Sequence, residues 1–192
     1  MIEHSKSVRL GIKKSLMVVD MPHNTYRNSK EALQNAKLII KKTKCDAVKL
    51  EGGKKISRII KTLIKNKISV MGHIGVLPQS DKIFKLKGKK KSEGNKILED
   101  AKLLENAGVF CIVLECVETS LAKLVTKNIN IPTIGIGASK YCDGQILVSD
   151  DLIGLNPINV KFVKKYSNIR KQISKAVSNY AMEVKKSKFP NK

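Results

Sequence analysis

Asp20 and Glu51 each close a short apolar run, Leu16-Met-Val-Val-Asp20 and Ala47-Val-Lys-Leu-Glu51. A lone carboxylate at the end of an apolar strand is costly unless a cation or hydrogen-bond donors meet it. Two hard oxygen donors, with waters and substrate oxygens completing an octahedron, suit Mg²⁺; a salt bridge from each to a neighbouring lysine meets the same need. Lys49 stands two residues before Glu51, so on a strand both side chains point to one face, where the ammonium can neutralise an anionic substrate. Glu115 ends Cys111-Ile-Val-Leu-Glu115 with no basic residue close in sequence. Desolvation is expected to raise its pKa and fit it as a general base; a structural pair with some lysine is the alternative. His73, in Gly72-His-Ile-Gly75, either donates a hydrogen bond to substrate from a strand end or serves the fold alone. His4 falls in the opening segment, and His23 in a loop beside Asp20.

The elements that must position these residues alternate between β-branched apolar runs and Lys-rich stretches of helical period, the signature of βαβ units around a parallel sheet. Six strands are expected: Leu16 to Asp20, Ala47 to Glu51, Ser69 to Ile74, Phe110 to Cys116, Pro132 to Gly137 and Ile146 to Ser149. Helices are expected over Ser29 to Lys44, Lys54 to Asn66, Ser92 to Ala107 and Thr119 to Asn128, with Ser29 and Ser92 as N-caps and Gly108 as a closing residue. Met1 to Lys14 reads as the tail of a helix. Asn159 to Ser187 reads as helix interrupted near Ser167 and Asn168, and Phe189-Pro-Asn-Lys192 as a frayed end. Polar and Gly-rich elements stand at the carboxyl end of strand after strand, where parallel α/β folds build active sites. The pattern predicts an enzyme in a single α/β domain over residues 1–192.

Composition narrows the classes further. With 42% hydrophobic residues in 192, the chain can bury one sizeable core. No segment approaches the roughly 18 uninterrupted apolar residues of a membrane span, and no apolar signal-peptide core opens the chain, so the cytoplasm is the expected compartment. The four cysteines form no CxxC pair and read as packing residues rather than disulfides or zinc ligands. Cys111 and Cys116 sit at an odd spacing, which points them to opposite faces of one strand. The formal charge of +22 invites a nucleic-acid partner, but only four of the 38 basic residues are Arg and they are scattered. Nucleic-acid recognition favours Arg forks and stacking aromatics, so an RNA-binding protein is a minor alternative. The tightest basic run, Lys85-Leu-Lys-Gly-Lys-Lys-Lys91, reads as a solvated loop or as a landing place for an anionic substrate tail.

Taken in order, Asp20-Met-Pro, Lys49-Leu-Glu-Gly-Gly53, Met71-Gly-His-Ile-Gly-Val-Leu-Pro-Gln-Ser80, Leu114-Glu-Cys-Val117, Ile131-Pro-Thr-Ile-Gly-Ile-Gly-Ala138 and Asp143-Gly-Gln-Ile-Leu-Val148 resemble the ketopantoate hydroxymethyltransferase family. The resemblance implies a (β/α)8 TIM-type barrel, of which about six of eight βα units are present. It implies transfer of a hydroxymethyl group from 5,10-methylenetetrahydrofolate to 3-methyl-2-oxobutanoate, giving ketopantoate for pantothenate and coenzyme A synthesis. By similarity, Asp20 and Glu51 hold Mg²⁺, Asp20, Lys49 and His73 contact the oxo acid, and Glu115 removes the C3 proton. A homo-oligomer, decameric in the family, is the implied assembly, with small-molecule substrates and neither membrane nor nucleic acid as partner.

Departures from the family pattern carry expectations of their own. A complete barrel of this type has about 250 residues and eight strands, and Met1-Ile-Glu-His4 matches the family just before its third strand. The family's Gly-Asp-Ser element, whose Asp binds metal and whose Ser contacts the oxo acid, has no counterpart here. A late start codon, a truncated gene or a fragment would each account for this, and a catalytically inactive remnant or accessory subunit is the alternative function. Ser139 stands where the family has Gly, Glu118 where it often has Pro, and the loop from Phe84 to Lys91 is shortened.

Overall fold

The computed structural model describes residues 1–158 and 160–191 and divides into two compact units, Met1–Gln145 and Ile146–Lys192. Asn159, the expected first residue of the C-terminal helix, and Lys192 lie outside the described residues.

The first unit is a parallel sheet in strict sequential order: β1 (Val18–Asp20), β2 (Ala47–Glu51), β3 (Val70–Gly75), β4 (Cys111–Glu115), β5 (Thr133–Ile136) and β6 (Gly144–Gln145). After a first helix, α1 (Ile2–Gly11), helices α2 (Ser29–Thr43), α3 (Ser57–Lys65, entered through a 3-10 turn at Lys54–Ile56), α4 (Lys91–Ala107) and α5 (Thr119–Asn128) connect successive strands. Neighbouring parallel strands joined by helical crossovers form the repeating unit of a (β/α)8 barrel, and six of the eight units are here.

Burial follows the two periods of the chain. Val48, Leu50, Val70, Ile74, Ile112 and Leu114 are buried on one face of the sheet. Against them lie helix stripes such as Ala32, Ala36 and Ile39 of α2 and Ile97, Ala101 and Leu104 of α4. Because helices cover that face, the sheet's other face is left to carry function.

Three local expectations are corrected. The N-cap of α2 is Asn28, not Ser29: its Oδ1 accepts from the Glu31 amide at 2.9 Å. Ser92 lies inside α4, which opens at Lys91 without a side-chain cap, while Glu93 reaches back to accept from the Gly88 amide at 2.6 Å. Asn28→Ala is expected to cost about 1 kcal/mol in urea unfolding, the usual loss of an N-cap. The sixth strand is Gly144–Gln145 rather than Ile146 to Ser149. The Asp143 carboxylate accepts from the Thr133 amide at 2.8 Å and its hydroxyl at 3.0 Å, which anchors the pairing early. Ile146 and Val148 remain exposed, and Ser149 already begins a helix. Gly108 closes α4 at φ +95°, as its position predicts.

The second unit holds α6 (Ser149–Leu152) and α7 (Ile169–Lys185), the latter with no buried residue; the helix expected from Asn159 starts only at Ile169, because Asn168 caps it by accepting from the Lys171 amide at 3.2 Å, and residues 160–168 are turn and irregular chain. Among the described residues no helix is long and apolar enough to cross a membrane.

All four cysteines are free, and Cys45, Cys111 and Cys142 are buried. Burial pushes the Cys111 thiol up to about 11. The thiolate is the reactive form, so native protein at pH 8.5 is expected to leave Cys111 unmodified by iodoacetamide, with full labelling only in denaturant. Peptide mass mapping of the two samples checks this.

Candidate active site

Five polar side chains meet at the carboxyl ends of β1 to β4, and strand register brings them there. Asp20 pairs with Lys49, Glu51 with His73, and Gly75 with Glu115. Within a strand, residues two apart share a face, so Lys49 carries the same face as Glu51, and His73 the same face as Gly75. Parity and register together put Asp20, Lys49, Glu51, His73 and Glu115 on one side, opposite the helix-covered face.

The Lys49 ammonium is the hub. It donates to Asp20 Oδ2 at 3.0 Å and to His73 Nδ1 at 3.0 Å, and lies 3.8 Å from Glu51 Oε1. Since an ammonium can only donate, His73 Nδ1 is the accepting nitrogen and the ring proton is assigned to Nε2. Nε2 faces Glu115 Oε2 at 3.3 Å but makes no aligned hydrogen bond, so a donor buried with the ring is left without a partner. Asp20 Oδ1 is likewise buried and unpartnered. Buried polar atoms are rarely left so, and both point to a ligand that completes them.

Glu51 is almost fully buried, and burial pushes its carboxyl above the ordinary range. The Gln79 amide at 3.1 Å, His73 and Lys49 oppose that shift, and Asp20 adds to it. Burial and the charges of Glu51 and Asp20 push the Tyr26 phenol up as well. A raised carboxyl pKa means that the buried charge disfavours folding above that pKa and ceases to do so below the unfolded value. Glu51→Gln is therefore expected to raise Tm at pH 7.5 relative to the parent, with the gap narrowing toward pH 4 as Glu51 of the parent protonates. A scan of Tm against pH for both proteins checks the sign.

Every site residue expected from sequence is here: Asp20, Lys49, Glu51, His73 and Glu115 form one connected cluster. His4 on α1 and His23 in the loop after β1 are exposed and enter none of the cluster's ion pairs, although His23 lines a cleft that Glu51 and Gln79 also line. Gln79 is the residue that sequence reasoning missed. Its amide binds Glu51 Oε2, and its side chain donates to the Met21 carbonyl at 3.1 Å, tying the loop after β3 to the end of β1. Its position within the Gly72 to Ser80 motif was the available signal. Asp20 and Glu51 are the hard-oxygen donors of the site; no group of three or more His, Cys, Asp or Glu among the described residues is arranged to hold an ion.

A sequentially ordered parallel β/α sheet with such a cluster across its strand ends defines an enzyme of the β/α-barrel class. The solved structure of N-(5'-phosphoribosyl)anthranilate isomerase from Pyrococcus furiosus matches at a TM-score of 0.53 and 14% identity, over 93% of this chain and 81% of that one, a likeness of fold. The family model for ketopantoate hydroxymethyltransferase matches residues 1–192. A 3-methyl-2-oxobutanoate hydroxymethyltransferase from Pelagibacter ubique is 72% identical over 192 residues, which cover all of this chain and 75% of that protein. One from Clostridium botulinum is 49% identical over 195 residues, covering 99% of this chain and 71% of that protein. The chain belongs to the ketopantoate hydroxymethyltransferase family.

Proposed function

We propose that this chain transfers a hydroxymethyl group from 5,10-methylenetetrahydrofolate to 3-methyl-2-oxobutanoate, giving ketopantoate for pantothenate and coenzyme A synthesis. The observation that carries the reading is the buried pair of unpartnered atoms, Asp20 Oδ1 and His73 Nε2, flanking the Lys49 ammonium and facing Glu115. A 2-oxo acid supplies a carboxylate or keto oxygen for the His73 donor and an acidic C–H for the base, while Asp20 Oδ1, an acceptor, suits a cation or a donating water.

Glu115 takes the proton from C3, and the C–H electron pair moves into the keto group to give an enolate. The Nε2–H of His73 and the Lys49 ammonium stabilise the oxygen on which charge develops. The enolate carbon then bonds to the one-carbon unit, which ends as CH₂OH with its hydroxyl drawn from water while tetrahydrofolate leaves. Two carboxylates, one with a free buried oxygen, fit a hard divalent cation that keeps several waters, and Asp20 and Glu51 would hold Mg²⁺. When bound, Mg²⁺ supplies Lewis-acid polarisation of the oxo acid. Gln79 keeps Glu51 in place from the loop above.

The reading implies a cytoplasmic enzyme and, by family resemblance, a homo-oligomer, which light scattering measures. The test of function is formation of ketopantoate from the two substrates with Mg²⁺ and its loss with chelator. Folded protein that neither forms product nor binds 3-methyl-2-oxobutanoate by calorimetry would overturn the reading.

A further inference from the structure

Two glycines follow Glu51, and the backbone that leaves this carboxylate is fastened at two points. Gly52 stands at φ +130°, and its amide donates to the His73 carbonyl at 2.9 Å. Gly53 then opens the 3-10 turn Lys54–Ile56 without a side-chain cap of its own. The cap comes from α4, 46 residues away in sequence: Asp100 Oδ1 accepts from the Lys54 amide at 2.7 Å. Gly53 leaves the room for that carboxylate, since an added Cβ would coincide with it. Glycine has the widest conformational freedom of any residue, and a first-turn amide without an acceptor is an orphan donor. Asp100 therefore takes the slack out of the residues directly after Glu51.

Glu51 depends on that restraint. It is almost fully buried, and its Oε2 accepts from the Gln79 amide at 3.1 Å. Its Oε1 lies 3.8 Å from Lys49 Nζ and 3.8 Å from His73 Nδ1, beyond hydrogen-bond reach. Side-chain partners thus hold the carboxylate loosely, and its aim follows from how the chain leaves β2. Asp100 enters none of the ion pairs among Asp20, Lys49, Glu51, His73 and Glu115, so its influence passes through the backbone of residues 52–54.

We infer that Asp100 is a positioning residue of the active centre: by capping the turn at Gly53, it aims the Glu51 carboxylate toward the place where the oxo acid and its cation bind. What Glu51 binds rests on the functional reading above; how Glu51 is held does not.

The test reads Glu51 through a reporter that Asp100 does not touch. Hydrogen exchange of the Gln79 backbone amide, followed by NMR, reports whether that amide still bonds to Glu51. In Asp100→Ala it is expected to speed up about tenfold, the size of one lost hydrogen bond. Asp100→Asn keeps the acceptor oxygen and should restore the parent rate. Mn²⁺ affinity, read by EPR in the same folded samples, should fall about 10- to 100-fold in Asp100→Ala, the usual cost of losing a residue that orients a metal ligand, and stay within about threefold in Asp100→Asn. Gly53→Ala reaches the same end independently, because the carboxylate is the mobile partner and must swing away. It should match Asp100→Ala, and the double variant Gly53→Ala, Asp100→Ala should be no worse than either. Glu99→Ala removes the neighbouring exposed carboxylate of α4 and should change neither readout. A purely structural cap would lower the urea midpoint and speed exchange at Lys54 while sparing Gln79 and Mn²⁺ affinity, and that result overturns the inference. Failure of Asp100→Asn to rescue, or additive losses in the double variant, does so too. If Gln79 exchange responds as expected but the parent binds no Mn²⁺, the positioning of Glu51 stands and the cation reading of the site fails.

Discussion

Replacing Glu115 by Gln is expected to lower the rate of C3 deuterium wash-out from labelled 3-methyl-2-oxobutanoate by about 10²- to 10⁴-fold, the usual contribution of a positioned general base. The substitution keeps size and shape and removes only the ability to accept a proton. The affinity for the oxo acid should stay within about threefold, because the groups assigned to bind it, Asp20, Lys49 and His73, are untouched. Wash-out isolates proton removal from the one-carbon step, so the effect should appear without folate. A fall in wash-out of less than fivefold, measured by NMR, would move the base to another group. A large loss of affinity with unchanged wash-out at saturation would make Glu115 a binding residue.

Gly75→Ala is expected to destabilise the fold by about 3–5 kcal/mol, at the upper end of what single substitutions do. Gly75 stands at φ +100°, which L side chains rarely adopt, and an added Cβ would lie 2.2 Å from the Glu115 carbonyl oxygen and 2.8 Å from Val117 Cγ2. The first of these is backbone and cannot swing away. Relief would require β3 and β4 to part where the Val76 amide donates to that same carbonyl at 2.8 Å. The damage therefore reaches Glu115 as well, and activity should fall more than the folded fraction accounts for. Gly11→Ala, where a Cβ meets nothing within 4 Å, is the matched control and should change urea unfolding little. If the two variants unfold alike, the close approach at Gly75 is not a constraint on the fold.

Five of the six strands, the helices between them and the ends at which chemistry sits were legible along the chain, because these depend on local periodicity. The short run of Ala47, Val48 and Leu50 closed by Glu51 made β2 legible to its boundaries, and strand parity placed Lys49 beside Glu51 before any neighbour was known. The motifs spread from Asp20 to Val148 carried the family in the same way, residue by residue along the chain. Register came from packing across the sheet. That Asp20 meets Lys49, that His73 meets Glu51 and that Gly75 meets Glu115 depend on how helices such as α2 and α4 pack on the sheet, which is a sum of long-range contacts. Gln79 was hidden for the same reason, since a loop residue acquires a role at Glu51 and Met21 only when the chain folds back over the strand ends. The sixth strand and the two N-caps went to Gly144, Asn28 and Lys90 because hydrogen bonding and core access settle such boundaries, and local propensity differs too little between adjacent residues to choose among them.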